Sequence, residues 1–391
     1  MKRNRSVIIT GAGAVIPWNA NTTTELTEIL KSDTCFVNDK EERIGQYLFD
    51  LLSSKTPNRN SPNIETILNF IEELYQFKDN NNKPLVDSQS LKSSFRIYDY
   101  FQINSEINNK LHSFEIGNPN IKDGFLNVKL LKTIFGLERK IHGSLFYGEL
   151  YLYFIYLIIE QIKTYDNETN LNKCHKINEI YFRFLMGLKQ NRGLIRYYTL
   201  NYDLLPLKIY DGFFNGYDNI GKIDVESIVK SKYTDVYYNM HGSTNASFNK
   251  IKAGYIHGFK TATTFENNFL IQSPIIAGYN KLNRLFGESH FHFYNSLIGD
   301  CYNADVIYLI GYSFGDIHIN SAVNGAMQIG KTKIIVIDLI DIADNKSRRI
   351  FENNYKKTNP TNEYSIKGIE PNNPNKLQLH LNGFKEYLES N

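Results

Sequence analysis

The chain has 391 residues, and its hydrophobic fraction of 42% and aromatic fraction of 14% argue against an intrinsically disordered protein. Its 44 basic and 41 acidic residues leave a net charge of +3, so no overall electrostatic footprint for nucleic acid is present. Cys35, Cys174 and Cys301 form neither a CxxC pair nor a disulfide framework, which favours a reducing, cytoplasmic setting.

The first predicted element is a buried parallel strand, Ser6–Thr10, in which β-branched residues predominate. A glycine turn follows, and capping-box spacing predicts a helix near Thr22–Lys31. Basic residues followed by apolar ones resemble the start of a signal peptide. Because Gly11 and Gly13 interrupt the apolar stretch, a strand followed by a turn is the favoured interpretation.

A helical pattern occupies residues 36–189, and we predict that this segment is an insertion into a core formed by residues 1–35 and 190–391. The apolar run Leu150–Ile159 is shorter than the roughly 20 residues that a membrane span needs, so a buried helix is favoured. The predicted helices are an amphipathic segment after Ser61-Pro62, Leu126–Tyr147, Glu149–Thr164 and Lys176–Lys189.

Strands and helices alternate after residue 190, which predicts βαβ units and a parallel sheet. We therefore expect an α/β protein with a Rossmann-like parallel sheet and a large helical insertion. The predicted strands are Leu194–Leu200, Val236–Met240, Val306–Ile310 and Lys333–Leu339, and the predicted helices are Ser289–Tyr302 and Ile317–Ile329. The tail is predicted to contain a helix at Lys346–Lys357 and edge structure at Tyr364–Ile369 and Lys376–Leu381.

The turn after the first strand is a candidate nucleotide-binding segment formed by Gly11, Ala12 and Gly13. Its glycines let the backbone approach a pyrophosphate, which following N–H groups can hold. The dehydrogenase fingerprint GxGxxG is absent, and Pro17 interrupts the expected helix. A plain structural turn is the alternative. Trp18 is predicted either to stack on a ring of a ligand or to pack in the core.

Two further strands end in polar side chains that face the ligand crevice of an open parallel sheet. Thr199, Asn201 and Asp203 end the second strand, where Asn201 can orient water or ribose and Asp203 can bind a carboxamide. The alternative for Asp203 is an Asx turn or a helix cap. His241 follows the third strand and is a candidate general base, although a lone histidine is more often structural.

The segment after the fourth strand begins at Gly311, which permits a turn. Ser313 and nearby N–H groups are candidate ligands for a phosphate or ribose oxygen, and Phe314 belongs to the same candidate segment. Asp316 is predicted to cap the following helix.

The last candidate is Asp338, at the end of the next strand, where an acidic residue can hold an adenosine ribose; Asp341 competes for that role. His290 and His292 have no carboxylate pattern beside them, so we interpret them as structural. No metal site is expected.

The set resembles the sirtuin-like family, whose members share a strand followed by GAG, a T-x-N-x-D segment, a His-Gly pair, a G-[TS]-S segment and a last ribose-binding strand end. The counterparts occur here in the same order, over residues 1 to about 20 and 190 to about 345. They are Gly11–Gly13, Thr199/Asn201/Asp203, His241-Gly242, Gly311/Ser313 and the neighbourhood of Asp338.

Departures from the family pattern distinguish this chain from the protein deacetylases of the family. The two CxxC pairs of the deacetylases' zinc ribbon are missing, Val15–Asn19 replaces the GIPDFR-like stretch, and Leu200 stands where the family has Gln. A zinc-free core with a helical insert is similar to the sirtuin-like NADases of bacterial antiphage defence. That resemblance implies NAD as substrate, no zinc, and Asn201 and His241 as the catalytic residues.

The resemblance also implies a biological setting. The protein would deplete NAD on infection and would not associate with a membrane. It would act as a homo-oligomer or with a partner such as a DNA-translocating ATPase, an Argonaute-like protein or a phage-derived activator. Two alternatives remain open: an NAD-dependent deacylase or ADP-ribosyltransferase, and a non-catalytic nucleotide-binding regulatory module.

Overall fold

The structure is a computed structural model, and the part of the chain that it describes divides into two compact units. The first unit comprises Met1–Ala20, Ile162–Asn245 and Leu282–Asn391, and the second comprises Asn21–Gln161 and Ala246–Lys281. The described residues are 4–55, 61–79, 110–111, 113–116, 144–190, 193–218, 224–244, 255–256, 259–260, 264–265, 268–269, 290–340, 344, 349, 366–367, 370–371 and 377–390.

The described strands, in chain order, are β1 (Arg5–Thr10), β2 (Phe36–Val37), β3 (Glu115–Ile116), β4 (Leu194–Thr199), β5 (Val236–Asn239), β6 (Tyr255–Ile256), β7 (Phe259–Lys260), β8 (Thr264–Phe265), β9 (Asn268–Phe269), β10 (Val306–Ile310), β11 (Lys333–Ile337), β12 (Ile366–Lys367), β13 (Glu370–Pro371) and β14 (Leu377–His380). The described α-helices are α1 (Thr23–Ser32), α2 (Ile44–Lys55), α3 (Ile64–Asp79), α4 (Ser144–Tyr165), α5 (Glu168–Lys173), α6 (His175–Lys189), α7 (Leu205–Ile209), α8 (Val225–Lys230), α9 (Phe291–Tyr302), α10 (Ile317–Ile329) and α11 (Phe384–Ser390). The 3-10 helices among the described residues span Ala12–Trp18 and Ser231–Tyr233.

Six parallel strands form the main sheet of the first unit, in the order β14-β11-β10-β1-β4-β5. The chain runs from β1 outwards through β4 and β5, then returns to the other side of β1 to place β10, β11 and β14. This is the 3-2-1-4-5-6 order of Rossmann-like sheets, with the topological switch point between β1 and β10. The predicted α/β class and Rossmann-like parallel sheet are confirmed.

Apart from the edge strand β14, the strands of the main sheet are buried on both faces, as their nearly continuous apolar sequences require. Val7 and Ile9 face a core that also contains Tyr198 and Tyr238. The ring of Tyr238 stacks on Phe293 of α9, with centroids 4.5 Å apart. Burial of these large rings supplies much of the apolar surface that stabilises the sheet.

The opposite face of the sheet packs against α6 and α11. The hydroxyl of Tyr181 on α6 donates to that of Tyr197 on β4 at 3.0 Å, and its ring meets Phe384 of α11 edge to face at 5.8 Å. Helices therefore cover both faces of the sheet. Residues 162–189, which the sequence pattern assigns to the insertion, belong to the first unit.

The second unit contains α1, whose predicted capping box is present. The Thr22 hydroxyl accepts from the Glu25 N–H at 3.2 Å, and the Glu25 carboxylate accepts from the Thr22 N–H at 2.7 Å. Helix α1 packs against α2 and α3, and the Thr27 hydroxyl accepts from the Ile64 N–H at 3.0 Å. Together these contacts fix the start of α1 and its place beside α3.

Among the described helices, none combines the length and the apolar character needed to cross a membrane. The predicted edge structure at Lys376–Leu381 is confirmed, because β14 lies at the edge of the main sheet. In the predicted segment Tyr364–Ile369, the described residues 366–367 form β12, which pairs with β13 in a separate two-stranded sheet. Most of the predicted helix Leu126–Tyr147, most of the predicted helix Lys346–Lys357, and Asp341 lie outside the described residues.

Candidate functional site

The candidate site lies at the carboxyl edge of the main sheet, where the strand ends are in register. Thr10 of β1 pairs with Thr199 of β4 and with Ile310 of β10, while Thr199 also pairs with Asn239 of β5. Parallel strands place all their carboxyl ends at one edge, and that edge beside a switch point is where such sheets bind ligands. The four candidate segments therefore meet at one edge.

The glycine turn after β1 folds directly into the 3-10 helix Ala12–Trp18. Its N–H groups have acceptors within the protein: Gly11 donates to the Ile310 carbonyl at 3.0 Å, Gly13 to the Gly311 carbonyl at 3.2 Å, and Ala14 to the Gly11 carbonyl at 3.0 Å. In this state the loop binds the segment after β10. The predicted cradle for a pyrophosphate would require these N–H groups to exchange partners.

Close contact between two loops explains the glycines at the switch point. Gly311 has a φ of +55°, and a Cβ there would lie 2.3 Å from the backbone of Gly13 and Ala14. A Cβ on Gly11 would lie 2.6 Å from the Gly311 carbonyl oxygen. Side chains at these positions would force the two loops apart. The glycines therefore allow the loops after β1 and β10 to pack closely at the switch point.

Trp18 is a packing residue, which is one of the two predicted alternatives. Its indole is 2% exposed, and its N–H donates to Oδ1 of Asn178 at 2.7 Å. Its ring meets Tyr181 edge to face at 5.3 Å. Pro17 lies within the 3-10 helix, which ends at Trp18, while Ala12 at the other end is exposed.

Asn201 connects the end of β4 to the glycine turn. Its side-chain amide donates to the Gly11 carbonyl at 3.0 Å, and its backbone N–H donates to the Thr199 hydroxyl at 3.0 Å. The amide of Asn239 donates to the Asn201 carbonyl at 3.1 Å. The side chain of Asn201 is thereby bonded to the turn after β1, while its backbone is bonded to Thr199 of β4 and Asn239 of β5.

Asp203 forms the Asx turn that was its structural alternative. Its Oδ1 accepts from the Leu205 N–H at 3.2 Å, and the Tyr165 hydroxyl lies 3.5 Å from its Oδ2. Burial and the nearby charge of Asp166 raise the pKa of Asp203 to about 7. A buried carboxyl with this pKa exchanges its proton near neutral pH, which distinguishes Asp203 from an ordinary turn residue.

His241 and Asn201 occupy equivalent positions on adjacent strands. Each lies two residues beyond a register pair, Thr199 and Asn239, and the Met240 N–H extends the ladder by donating to the Thr199 carbonyl at 2.8 Å. Adjacent strands are about 4.8 Å apart, so the backbones at Asn201 and His241 lie on neighbouring strand ends. His241 is 1% exposed, and its Nε2 lies 3.8 Å from Oδ1 of Asp316.

The segment after β10 divides its side chains between core and surface. Phe314 is buried at 1% exposure, has a φ of +57° and packs against Tyr312 with centroids 5.1 Å apart. Ser313 between them is exposed. Phe314 therefore fixes the loop through the core, while the Ser313 hydroxyl is accessible to a ligand.

Asp316 occupies the N-cap position of α10, but its side chain makes no capping hydrogen bond. The prediction that Asp316 caps this helix is therefore confirmed for its position but not for its carboxylate. The carboxylate instead lies at ion-pair distance from His241, because the turn after β10 brings the start of α10 against the loop after β5.

Asp338 follows β11, two strands away from β1 in the sheet. Its Oδ1 accepts from the Leu339 N–H at 2.8 Å, and burial raises its pKa to about 6.

His290 packs edge to face against Phe293 at 5.5 Å, and burial lowers its pKa to about 3. That environment is what a structural histidine requires, because a neutral imidazole is the favoured form there.

A small cavity lies beside Asn201 on the face of the sheet that packs against α6. Its volume is about 10 Å³, and its polar lining includes Thr10, Thr199, Asn201 and Asp203. A cavity of this size accepts at most about one water molecule. The described residues around Asn201 are thus closely packed.

No model of a known protein family matches this chain, and no curated protein matches it. A Rossmann-like sheet hosts many unrelated activities, so the fold alone assigns none. The chemistry of the carboxyl edge and the order of its motifs are what supports a function.

His318 lies in the candidate site, but it was not predicted from the sequence. It is buried at the second position of α10, and its ring centroid lies 6.0 Å from that of His241. The available signal was the spacing Asp316-x-His318 directly after a strand-ending glycine turn. A helix cap explained the aspartate equally well, so the pattern alone did not point to His241.

Asp203→Asn is expected to stabilise the protein above pH 7 and to change its stability little near pH 4. The pKa of Asp203 is raised in the folded state, so the wild type loses stability as the pH rises from about 4 to about 7. The pKa is raised by about three units, and each unit corresponds to about 1.4 kcal/mol, so we expect up to roughly 4 kcal/mol of relative stabilisation at pH 8. Urea unfolding of both proteins at pH 4 and pH 8 measures this difference.

The contrasting variant is Asp224→Asn. The pKa of Asp224 is lowered by hydrogen bonds from the side chain and backbone of Ser227, so its charged form already suits the folded state. This variant is expected to give no stabilisation at pH 8. Equal effects of the two substitutions would contradict the role of burial at Asp203.

Proposed function

We propose that this chain is a sirtuin-like NAD⁺ glycohydrolase that cleaves NAD⁺ to nicotinamide and ADP-ribose. The observation that carries the proposal is the pair Asn201 and His241, which follow the adjacent parallel strands β4 and β5 at equivalent positions. An amide and an imidazole are the side chains needed to position a water or ribose and to accept a proton.

The proposed reaction breaks the bond between the nicotinamide nitrogen and the ribose carbon, whose electron pair leaves with nicotinamide. Positive oxocarbenium character develops at that carbon, and a water oxygen bonds to it. Asn201 positions the water or the ribose, and His241 accepts the proton that the water loses. Asp316, 3.8 Å from Nε2 of His241, favours the imidazolium that forms.

NAD⁺ binding is proposed to require movement of the loops after β1 and β4. The cavity of about 10 Å³ beside Asn201 is smaller than a nicotinamide ring, and the Gly11, Gly13 and Ala14 N–H groups are bonded within the protein. Exposed Ser313 is proposed to bind a ribose or phosphate oxygen of NAD⁺. Asp338 is proposed to bind the adenosine ribose. A closed site of this kind suits an enzyme that acts only when triggered.

The biological proposal rests on the motif resemblance to NADases of bacterial antiphage defence. The protein would act in the cytoplasm as an effector that depletes NAD⁺ on infection. A homo-oligomer, a DNA-translocating ATPase or a phage-derived activator would supply the trigger that opens the site.

The experiment that tests the reaction incubates the full-length chain with NAD⁺, alone and with candidate activators, and separates the products. Release of nicotinamide with ADP-ribose supports the proposal. Formation of O-acetyl-ADP-ribose from an acetylated peptide would instead indicate a deacylase. Tight NAD⁺ binding without products under every activating condition would replace the proposal with a nucleotide-binding module.

A further inference from the structure

Three potential metal-ligand side chains converge at the carboxyl edge, on the side of His241 that faces α10. They are His241 from the loop after β5, and Asp316 and His318 from the first turn of α10. One ligand atom from each lies within 4.8 Å of the others, and Nε2 of His241 is 3.8 Å from Oδ1 of Asp316. All three belong to the first unit.

We propose that His241, Asp316 and His318 form a binding site for one divalent first-row cation such as Zn²⁺. Two imidazole nitrogens and one carboxylate oxygen are a ligand set that zinc uses when it keeps a further position open. Ligands on a tetrahedral zinc lie about 3.3–3.5 Å apart, given bond lengths near 2.0–2.2 Å. Movements of a few tenths of an ångström to about 1 Å would bring the three ligand atoms to these separations.

The surroundings of the cluster suit a bound cation. His241 and His318 are 1% and 6% exposed, so their rings are held by packing rather than free to rotate. The ring of Tyr294 meets His318 edge to face at 5.6 Å, which restrains that imidazole further. The side chain of Asp316 is 14% exposed and gives the ion a route from solvent.

Metal binding would compete with the proposed role of His241 as a base. A zinc ion occupies the imidazole lone pair that would otherwise accept a proton, so one His241 side chain cannot do both at once. Zinc is therefore expected to inhibit nicotinamide release. The binding site itself does not depend on the proposed reaction, since it follows from the three ligands.

The test is equilibrium dialysis of the full-length, chelator-treated protein against Zn²⁺, followed by metal analysis. We expect one Zn²⁺ per chain, and we expect His318→Gln and Asp316→Asn each to weaken binding about tenfold or more, because each removes a direct ligand. Mg²⁺, which prefers an oxygen-rich octahedral shell, is expected not to be retained. His175→Gln, on an exposed residue of α6, is the matched histidine control and should bind zinc as the wild type does.

Circular dichroism of each variant shows whether it is folded. If His318→Gln does not fold, the partly exposed Asp316→Asn decides the question alone. Absence of bound Zn²⁺ in the wild type, or retention undiminished in the folded variants, would overturn the site. Failure of the NADase proposal would leave the zinc stoichiometry unaffected, and absence of bound Zn²⁺ in the wild type would leave the NADase proposal standing.

Discussion

Nicotinamide release by the activated protein is expected to fall about 10²–10⁴-fold when His241 is replaced by alanine, because a positioned general base contributes an acceleration of that order. The loss should appear in kcat rather than in KM, since His241 is proposed to act on the water proton and not on the ground-state substrate. Product separation over a range of NAD⁺ concentrations measures both constants.

Two controls separate loss of chemistry from loss of fold. His175→Ala removes an exposed imidazole on α6 and should retain wild-type activity. His241→Gln retains a polar side chain of similar length without a basic nitrogen, so it should fold but remain inactive. Full activity in a folded His241→Ala protein would remove the histidine from the mechanism.

Asn201→Ala is expected to lower activity as well, but through two effects. It removes the amide that would position water or ribose, and it removes the 3.0 Å hydrogen bond to the Gly11 carbonyl that ties β4 to the glycine turn. Losing a buried hydrogen bond of this kind costs about 1 kcal/mol of stability. A thermal melt beside the assay therefore shows how much of the lost activity reflects a loosened loop.

The edge at which the site forms could be predicted from sequence because parallel strands impose it. The strands ending at Thr10, Thr199, Asn239 and Ile310 are short apolar runs, and a parallel sheet places their polar successors together whatever the length of the connections. The register pairs of these four residues follow directly from that arrangement.

The contacts made by individual side chains could not be predicted, because they depend on packing between distant segments. Gly11 and Gly13 read as a phosphate loop, yet they are required by the approach of Gly311, some 300 residues further along the chain. Trp18 could equally have faced a ligand until Asn178 and Tyr181 were placed against it. The spacing of apolar residues, every two residues in a strand or every 3.6 in a helix, predicts the element but not which distant residues contact each other.

The cluster of His241, Asp316 and His318 was hidden for the same reason. Asp316 at a helix start has an ordinary local explanation, and His318 lies in an apolar helix. Only the return of the chain to β10 brings the start of α10 beside the loop after β5. A polar site assembled from two distant segments thus leaves only the short spacing Asp316-x-His318 in the sequence, without its partner His241.

A buried charge network secures the other end of the sheet. Asp300 of α9 accepts from Nε of Arg196 at 2.5 Å and from the Tyr198 hydroxyl, and Nη1 of Arg5 lies 3.1 Å from its second oxygen. Arg196 also donates to the Ser231 and Thr234 carbonyls, both at 2.7 Å. The network joins β1 and β4 to α9 and to the segment before β5.

Asp300→Ala is expected to destabilise the protein by about 3–5 kcal/mol, because it leaves the guanidinium of Arg196 charged, 3% exposed and without its carboxylate. The free energy of unfolding of a folded protein is only about 5–15 kcal/mol in total. The variant should therefore unfold at a much lower urea concentration and temperature than the wild type. Asp300→Asn keeps an acceptor oxygen and is expected to fall between the alanine variant and the wild type.

The control is Glu226→Ala, which breaks the exposed ion pair between Glu226 and Lys230 on α8. Solvent screens that pair, so its loss should shift the urea midpoint far less than the loss of Asp300. Comparable shifts for the two variants would mean that the Asp300 network contributes no more than a surface contact. A large shift of the urea midpoint in the Asp300 variant alone would show that this buried network contributes strongly to the stability of the sheet. The loops at the carboxyl edge could then move for a ligand while the sheet stays folded.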